Sequence, residues 1–382
     1  MNILFVSSTR AGGSGLSQRQ LAARLIARGH RVVILADPEE GHRVARSAYK
    51  RLVNLSTKLR GHVGRDLVLG VQRPIGRRVV PASEYDVPMF FSPVPEHAYR
   101  TMRRRLQPDV VVASSIGRVS WRRLRAQARA DGIPSVLYLR EESALGHLTV
   151  TNAPPDLLLA NAGSLAERAR TAGFECFTIP SAVDTAATRV DSTRERVLFV
   201  NPLPSHGVDR LWAVAAARPD IPFAVQESWG LPEPVRAEVL AEVARLPNVE
   251  FRPRTSDLAG LYRDARLLFA PHRLDNRPRV VAEAQANGIP VLASAFPGLL
   301  EAVGPGGVLL DPDAPRSAWI EAIGRLWDDT ERYVDLVNAA LLHAARPDVD
   351  PEAITSMFER QIVELVRIAR SRQRRNPGPV HH

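Results

Sequence analysis

The sequence predicts an α/β fold of two Rossmann-like, doubly wound parallel-sheet domains facing a cleft. Three observations carry this. The chain has 382 residues, enough for two domains at roughly 100–200 residues each. Short uncharged apolar runs alternate with amphipathic helical stretches, the pattern of parallel strands covered on both faces. The alternation pauses once, near residues 180–195, and then restarts.

In the first half, Ile3–Val6 reads as a strand, followed by Ala11-Gly-Gly-Ser-Gly and a helix over Ser17–Arg28 that Gly29 stops. Val32–Leu35, Asp109–Ala113, Val136–Leu139 and Leu157–Ala160 read as further strands. Helices fall near Trp121–Ala130 and Ser164–Ala172. The polar stretch from Pro180-Ser-Ala-Val-Asp184 to Glu195 reads as a linker. Strands are then expected at Val197–Val200, Phe223–Gln226, Val249–Arg252, Leu267–Ala270 and Val291–Ala293. The helices between them are expected near Val208–Ala217 and at Glu233–Arg245, Asp257–Tyr262 and Arg279–Asn287. Pro351–Arg370 reads as a long helix and Ser371–His382 as a frayed polar tail. In doubly wound folds ligands bind outside the carboxyl ends of the strands.

Composition narrows the function classes. With 45% hydrophobic residues each half can bury a core. The absence of a run of about 18 apolar residues excludes a spanning helix. The N-terminus enters a strand with no basic leader, so a cytoplasmic protein is expected. The single Cys176 excludes an intrachain disulfide or a cysteine-based metal site. The net charge of +10 is concentrated, because residues 41–80 hold ten basic side chains against Asp66 alone. Within that segment Val44, Ala48, Leu52, Leu55, Leu59 and Val63 recur at helical spacing, with basic residues around the rest of the circumference. Residues 43–63 therefore read either as an ordinary docked surface helix or as a peripheral contact with an anionic membrane. No aromatic-interleaved or helix-turn-helix pattern accompanies the arginines, so no nucleic acid partner is expected.

The stretch Pro271-His-Arg-Leu-Asp-Asn-Arg-Pro-Arg-Val-Val-Ala-Glu283 carries the chemistry. A strand ends before it and a helix starts near Pro278, with Asp275 or Asn276 placed to cap that helix. First-turn amides and the helix dipole favour an anion, and Arg277 and Arg279 are guanidinium forks suited to phosphate. Asp275 and Glu283 bracket the helix start; each is able to accept from sugar or ribose hydroxyls, or to act as a cap and a solvated helix residue. Gly12 and Gly13 suit either phosphate approach or a tight strand-to-helix turn. The dinucleotide fingerprint fails at Gln18, where glycine or alanine is needed.

The Asp275–Glu283 stretch resembles the E-x7-E signature of retaining glycosyltransferases of family 4, which have the GT-B architecture. Asp264-Ala-Arg-Leu-Leu-Phe-Ala-Pro271 before it, and Gly288-Ile-Pro-Val-Leu-Ala-Ser294 and Gly298-Leu-Leu-Glu301 after it, resemble the same family. So do Pro180–Asp184 and the Gly12-Gly13 pair. The resemblance implies an acceptor domain over 1–184 and a donor domain over 185–350. It also implies a helix over 351–372 crossing back to the first domain, with a flexible tail over 373–382. The implied reaction is metal-independent hexosyl transfer, with retention, from a nucleotide-diphosphate sugar as co-substrate and without a further cofactor. The acceptor is anionic or lipid-linked in the reading that uses the basic segment. Gly12, Gly13, Asn201, His206, Arg277, Arg279, Val280 and Glu283 are then the donor-binding residues. Asp275, Glu283, Arg140 and Glu141 face the transferred sugar or acceptor.

Three departures mark this chain. Asn201 and His206 stand where the family has an Arg and a Lys, and Arg277 and Pro278 replace an aromatic residue and a Gly. Leu139-Arg-Glu-Glu142 stands where a His-Asp pair is usual, and Arg140 and Glu141 are also able to pair with each other. The loss of fixed cations keeps open a weakened nucleotide-sugar-binding or partner protein. A nucleotide-sugar epimerase on the same fold is a further alternative.

Overall fold

The computed structural model describes residues 1–7, 12–37, 51–52, 55, 77–83, 85–149 and 153–375. Most of the basic segment 43–63, and so the membrane contact expected there, lies outside the described residues. The chain forms two compact units. The first comprises Met1–Asn161, Leu165–Pro180 and Ile354–His382, and the second Ala162–Ser164 and Ser181–Ala353. Among the described residues no helix is long and apolar enough to cross a membrane.

The first unit is built on an eight-stranded sheet. Its strands are β1 (Asn2–Ser7), β2 (Arg31–Ala36), β3 (Val80–Ala82), β4 (Met89–Phe91), β5 (Val110–Ser114), β6 (Ser135–Leu139), β7 (Leu157–Ala160) and β8 (Phe177–Thr178). They run in the order β3-β4-β2-β1-β5-β6-β7-β8. Every pairing is parallel except β3 with β4, which is antiparallel and corrects the all-parallel expectation. Pro81 lacks an amide N–H and is tolerated at that edge, and the short 83–88 return needs no crossover helix. The apolar runs at the centre are buried throughout: Ile3, Leu4, Val6, Val110, Val111 and Val112 are all fully enclosed. The chain leaves β1 for β2 on one side and later takes up β5 on the other, so the direction reverses between β1 and β5.

Helices α1 (Gly12–Ala27), α2 (Pro95–Leu106) and α3 (Arg118–Ala130) follow β1, β4 and β5. Two short helices, α4 (Gly146–Thr149) and α5 (Gly163–Thr171), complete this part of the chain.

The second unit has six strands, all parallel: β9 (Arg196–Val200), β10 (Phe223–Gln226), β11 (Val249–Arg252), β12 (Ala265–Ala270), β13 (Val291–Ser294) and β14 (Gly307–Leu310). Their order is β11-β10-β9-β12-β13-β14, which puts the reversal of direction between β9 and β12. The helices are α6 (Val208–Ala217), α7 (Glu233–Arg245), α8 (Arg279–Ala286), α9 (Pro297–Val303), α10 (Arg316–Asp328) and α11 (Thr330–Ala344). The elements from α9 to α11 extend the alternation beyond the last strand expected from periodicity. Phe199, Phe223, Phe269 and Trp319 fill one core face, each burial contributing about 1.5–3 kcal/mol.

Two expectations for this unit are corrected. Asp257–Tyr262 is not a helix but a single 3-10 turn at Gly260–Tyr262. The Asp257 carboxylate accepts from the Gly260 amide at 2.8 Å as a helix N-cap does, but β12 begins at Ala265 and leaves room for one turn only. The polar stretch before Arg196 is not a free linker either. The Asn287 side chain accepts from Val190 N at 2.7 Å and donates to Thr188 O at 3.0 Å. Arg194 donates to the carbonyls of Asn287 and Gly288, both at 2.7 Å, capping the carboxyl end of α8.

The last helix, α12 (Pro351–Arg375), runs past the predicted Arg370. From Ile354 onward it belongs to the first unit. There Phe358 stacks on Phe5 at 6.0 Å and on Tyr138 at 6.2 Å. Glu359 pairs with Arg28 and His30, both at 2.8 Å.

Candidate functional site

In the second unit the reversal between β9 and β12 opens a crevice at the strands' carboxyl ends, the place where open α/β sheets bind ligands. Two loops line it, Asn201–Gly207 after β9 and Pro271–Pro278 after β12. Gly207 lets them approach. It sits at φ +77, and a Cβ there would lie 2.0 Å from the Pro271 carbonyl oxygen. Arg210 fixes the other side. Its guanidinium donates to Pro271 O at 3.1 Å and to Pro312 O, and lies 4.9 Å from the Trp319 ring centre.

The crevice holds an aromatic cluster. His206 and His272 stack with ring centres 4.5 Å apart and planes 16° apart, and Trp229 meets His206 edge-on at 5.7 Å. His206 Nδ1 faces two carbonyl oxygens, Asn201 O at 3.0 Å and Val200 O at 3.4 Å, and so carries the proton. The neutral ring then presents Nε2 as an acceptor. Burial lowers the His206 pKa. His272 donates from Nδ1 to Asn276 Oδ1 at 3.0 Å. Its pKa falls to about 3 because burial and then the adjacent His206 disfavour the charged ring.

Asn201 is buried at φ +59. Its amide group closes on Ser228, accepting from Ser228 N and donating to Ser228 Oγ, each at 2.9 Å. The side chain thus fastens the β9 loop to the end of β10.

The signature residues are placed differently from the expected cap. Pro278 precedes α8 as its N-cap instead of occupying its first turn. Asp275 reaches forward instead, accepting from the Gly298 amide at 2.7 Å in the first turn of α9. Gly298 permits the contact, since a Cβ there would stand 2.6 Å from Asn276 O and 2.9 Å from Asp275 Oδ1. Asn276 is taken by His272.

Glu283 is buried. Arg279 donates to its Oε1 from Nε at 3.1 Å and Nη2 at 2.9 Å, and the Tyr262 hydroxyl donates to its Oε2 at 2.6 Å. Burial, and then the Glu283 charge, push the Tyr262 hydroxyl well above the ordinary tyrosine range. Arg279 and Glu283 therefore form a buried, mutually neutralising pair at the base of α8. Arg277 is half-buried in the loop, and Val280 packs partly against the core.

In the first unit the β1–β5 reversal carries the predicted glycines. Gly12 adopts φ +68 at the start of α1, and Ser17 Oγ donates to Gly13 O at 2.8 Å. Ser14 Oγ meets Ser115 Oγ at 2.7 Å, joining the first turn of α1 to the end of β5 at this switch point. Arg140, after β6, lays its guanidinium 3.9 Å from the Tyr138 ring centre, while Glu141 is exposed.

The structure thus brings Asn201, His206, Asp275, Arg277, Arg279, Val280 and Glu283 to the loops and first helical turns of one switch point, and Gly12 and Gly13 to the other. Sequence reasoning assigned no role to His272, Trp229, Ser228 or Tyr262. The residue pattern holds no signal for Tyr262, which meets Glu283 only through the packing of β12 and α8. Among the described residues no three His, Cys, Asp or Glu side chains converge in a metal-ligating group.

Comparison with known proteins follows the same division. Residues 195–329 match the family model described as Glycosyl transferases group 1. A D-inositol 3-phosphate glycosyltransferase of Corynebacterium urealyticum is 32% identical over 173 residues, 43% of this chain and 39% of that protein. The enzyme of the same name from Salinispora tropica is 38% identical over 120 residues, 30% of this chain and 25% of that protein. The matched region thus spans well under half the length of these relatives.

Solved structures cover far more of the chain. Sucrose-phosphate synthase from Thermosynechococcus elongatus superposes with a TM-score of 0.71 at 17% identity, over 95% of this chain and 98% of that one. Anabaena HepE in complex with UDP-glucose superposes with a TM-score of 0.70 at 15% identity, over 95% and 99%. At such identities the likeness shows a shared fold.

Proposed function

We propose that this chain, a GT-B protein resembling glycosyltransferase family 4, moves a hexosyl group from a nucleotide-diphosphate sugar to an acceptor with retention of configuration. The observation that supports the reading is the β9–β12 switch point of the second unit. It assembles the resembling residues within the region matching group 1 glycosyl transferases. The donor diphosphate lies at the start of α8, where the backbone of the first turn and the helix dipole meet negative charge. His206 Nε2 and Arg277 face the same charge. As the glycosidic bond breaks, negative charge grows on the leaving diphosphate. Preorganised donors aimed at that charge are the usual large contribution to rate. Protonation of His206 beside the phosphates converts Nε2 from acceptor to donor. Asp275 orients the sugar. The reaction uses no metal and no cofactor beyond the co-substrate, and the acceptor is taken by the first unit.

One observation favours a second reading, a weakened nucleotide-sugar-binding protein. Asn201, Asp275 and Glu283 each already hold a protein partner. A thermal-shift screen with UDP, GDP, ADP and dTDP, with and without divalent metal, tests donor binding. UDP comes first because the structural neighbour HepE was solved with UDP and with UDP-glucose. Saturation at about 100 times Kd stabilises by roughly 2.7 kcal/mol. A shift with one nucleotide, unchanged by metal, supports the donor site. Nucleotide release that depends on added acceptor, with inositol phosphate as the first candidate, separates transfer from binding alone. No shift with any nucleotide would overturn the reading.

A further inference from the structure

The His206 ring in the crevice of the second unit is held in one attitude. Its Nδ1 is turned toward the carbonyls of Val200 and Asn201, so Nε2, on the opposite edge, points away from the end of β9. No protein group bonds to Nε2 among the described residues. His272 covers one face of the ring with planes 16° apart, and Trp229 stands edge-on to it at 5.7 Å. Both neighbours are themselves fastened. Ser294 Oγ donates to His272 O at 2.6 Å, and buried Arg210 donates to Ser294 Oγ at 3.4 Å and to Pro271 O at 3.1 Å. The loop bearing Trp229 is tied through Ser228 to Asn201.

The charged groups on the surrounding elements are engaged with one another. On α6, Asp209 pairs at 2.6 Å with Arg273 of the β12 loop. After β10, Glu227 accepts from Leu231 N at 2.8 Å and lies 3.5 Å from Arg236. Asp275 of the β12 loop accepts from Gly298 N, and Glu283 of α8 is held by Arg279 and Tyr262. Arg210 and Arg277 add positive charge, and among the described residues no carboxylate contacts the His206 ring.

A proton on Nε2 therefore has no counter-ion within the protein. Burial holds His206 below the ordinary histidine value, although its two carbonyl partners act in the opposite direction. Two stacked imidazoles with centres 4.5 Å apart also resist charging together. Of the pair, His272 is the more deeply enclosed and stays neutral. What a charged His206 lacks is an anion, and a diphosphate brings one.

We propose that binding of the nucleotide sugar takes up one proton from solvent, which His206 Nε2 holds against the diphosphate while His272 remains neutral. The inference rests on the donor reading given above and adds a proton to it. A lysine or arginine at this place would be charged before the donor arrives; this chain acquires its cation together with the donor. By linkage the proton and the donor raise each other's affinity by the same factor. Donor binding is therefore tight at low pH, and it weakens as pH rises from the His206 value in the protein alone to its value in the complex.

Calorimetric titration of the full chain with UDP-, GDP-, ADP- and dTDP-glucose, in buffers of different ionisation enthalpy, counts the proton directly. Sugar nucleotides are the probe because their diphosphate, esterified at both ends, exchanges no proton near neutrality, whereas the terminal phosphate of free UDP titrates at about 6. The expected result is uptake approaching about one proton per donor bound, with Kd rising by up to about ten-fold per pH unit between about pH 6.5 and about pH 8.5. His206→Lys should bind with little proton exchange and a flat pH profile. His206→Gln should also be flat, and weaker than the parent at low pH. His272→Phe keeps a stacked ring without a titrating nitrogen and should retain the uptake. Binding by the parent without proton exchange, or uptake that survives His206→Gln, would overturn this inference and leave the donor reading standing. Uptake lost in His272→Phe, with circular dichroism showing that variant folded, would move the proton to His272 and overturn it equally. No binding of any of the four at any pH would overturn both.

Discussion

His272 is held neutral by its surroundings, with a pKa of about 3. The folded value lies below the ordinary 6.5, so as pH falls the unfolded chain takes up the proton first. The stability carried by the neutral ring is intact above pH 6.5 and is lost as pH falls from there toward 3. The expected loss is about 2 kcal/mol between pH 7.5 and pH 5. Urea midpoints at both values should show it, and a His272→Gln variant should have a shallower slope; equal slopes would sink the assignment. The buried Glu283–Arg279 pair makes a second prediction. Glu283→Ala leaves the guanidinium buried without its carboxylate and should cost about 3–5 kcal/mol. The double replacement Arg279→Met/Glu283→Leu should cost clearly less than its two single changes combined. Additive costs in that cycle would show that the two side chains act independently. At this scale the sequence displayed which residue types gather near the helix start, but not their partners. Asp275 was legible as a carboxylate beside α8, yet it bonds to Gly298, 23 positions away, because the β12 loop folds over the start of α9.

Strands such as Val110–Ser114 and Val291–Ser294 were legible as elements because their buried apolar runs stand out against polar flanks. Weakly patterned elements were not. The three residues of β3 are too short for any period, and α11 carries exposed apolar side chains such as Val334 and Leu342 that blur the amphipathic stripe. Asp257 caps a turn through the Gly260 amide, and the strand starting at Ala265 cuts that turn short. The last helix shows what tertiary packing adds. Phe358 is fully buried against Phe5 and Tyr138 in the sheet of the first unit. Phe358→Ala should destabilise that unit by about 3–5 kcal/mol, read as a lower urea midpoint. A change within a few tenths of a kilocalorie would show that the helix packs loosely.

Charge acts on the whole molecule. The first unit carries more than twice as many basic as acidic side chains, and self-repulsion of that size works against compactness. Raising salt from about 0.02 M to about 0.3 M should stabilise the first unit by about 1 kcal/mol, a rise in Tm of about 2–4 °C. The second unit should respond little, and calorimetry resolving two transitions would check it. A uniform response of both units would remove the basis for treating the charge as segregated. The sequence by itself determined the two α/β halves, the strands that form their centres and the loop that bears the signature residues. These rest on local hydrophobic period and turn chemistry, which a linear pattern displays. Only the tertiary structure decided that Asn201 fastens to Ser228, that Tyr262 meets Glu283 and that His206 stacks on His272. Each of these contacts joins residues far apart in the chain, and strand order and helix packing, not spacing, bring them together.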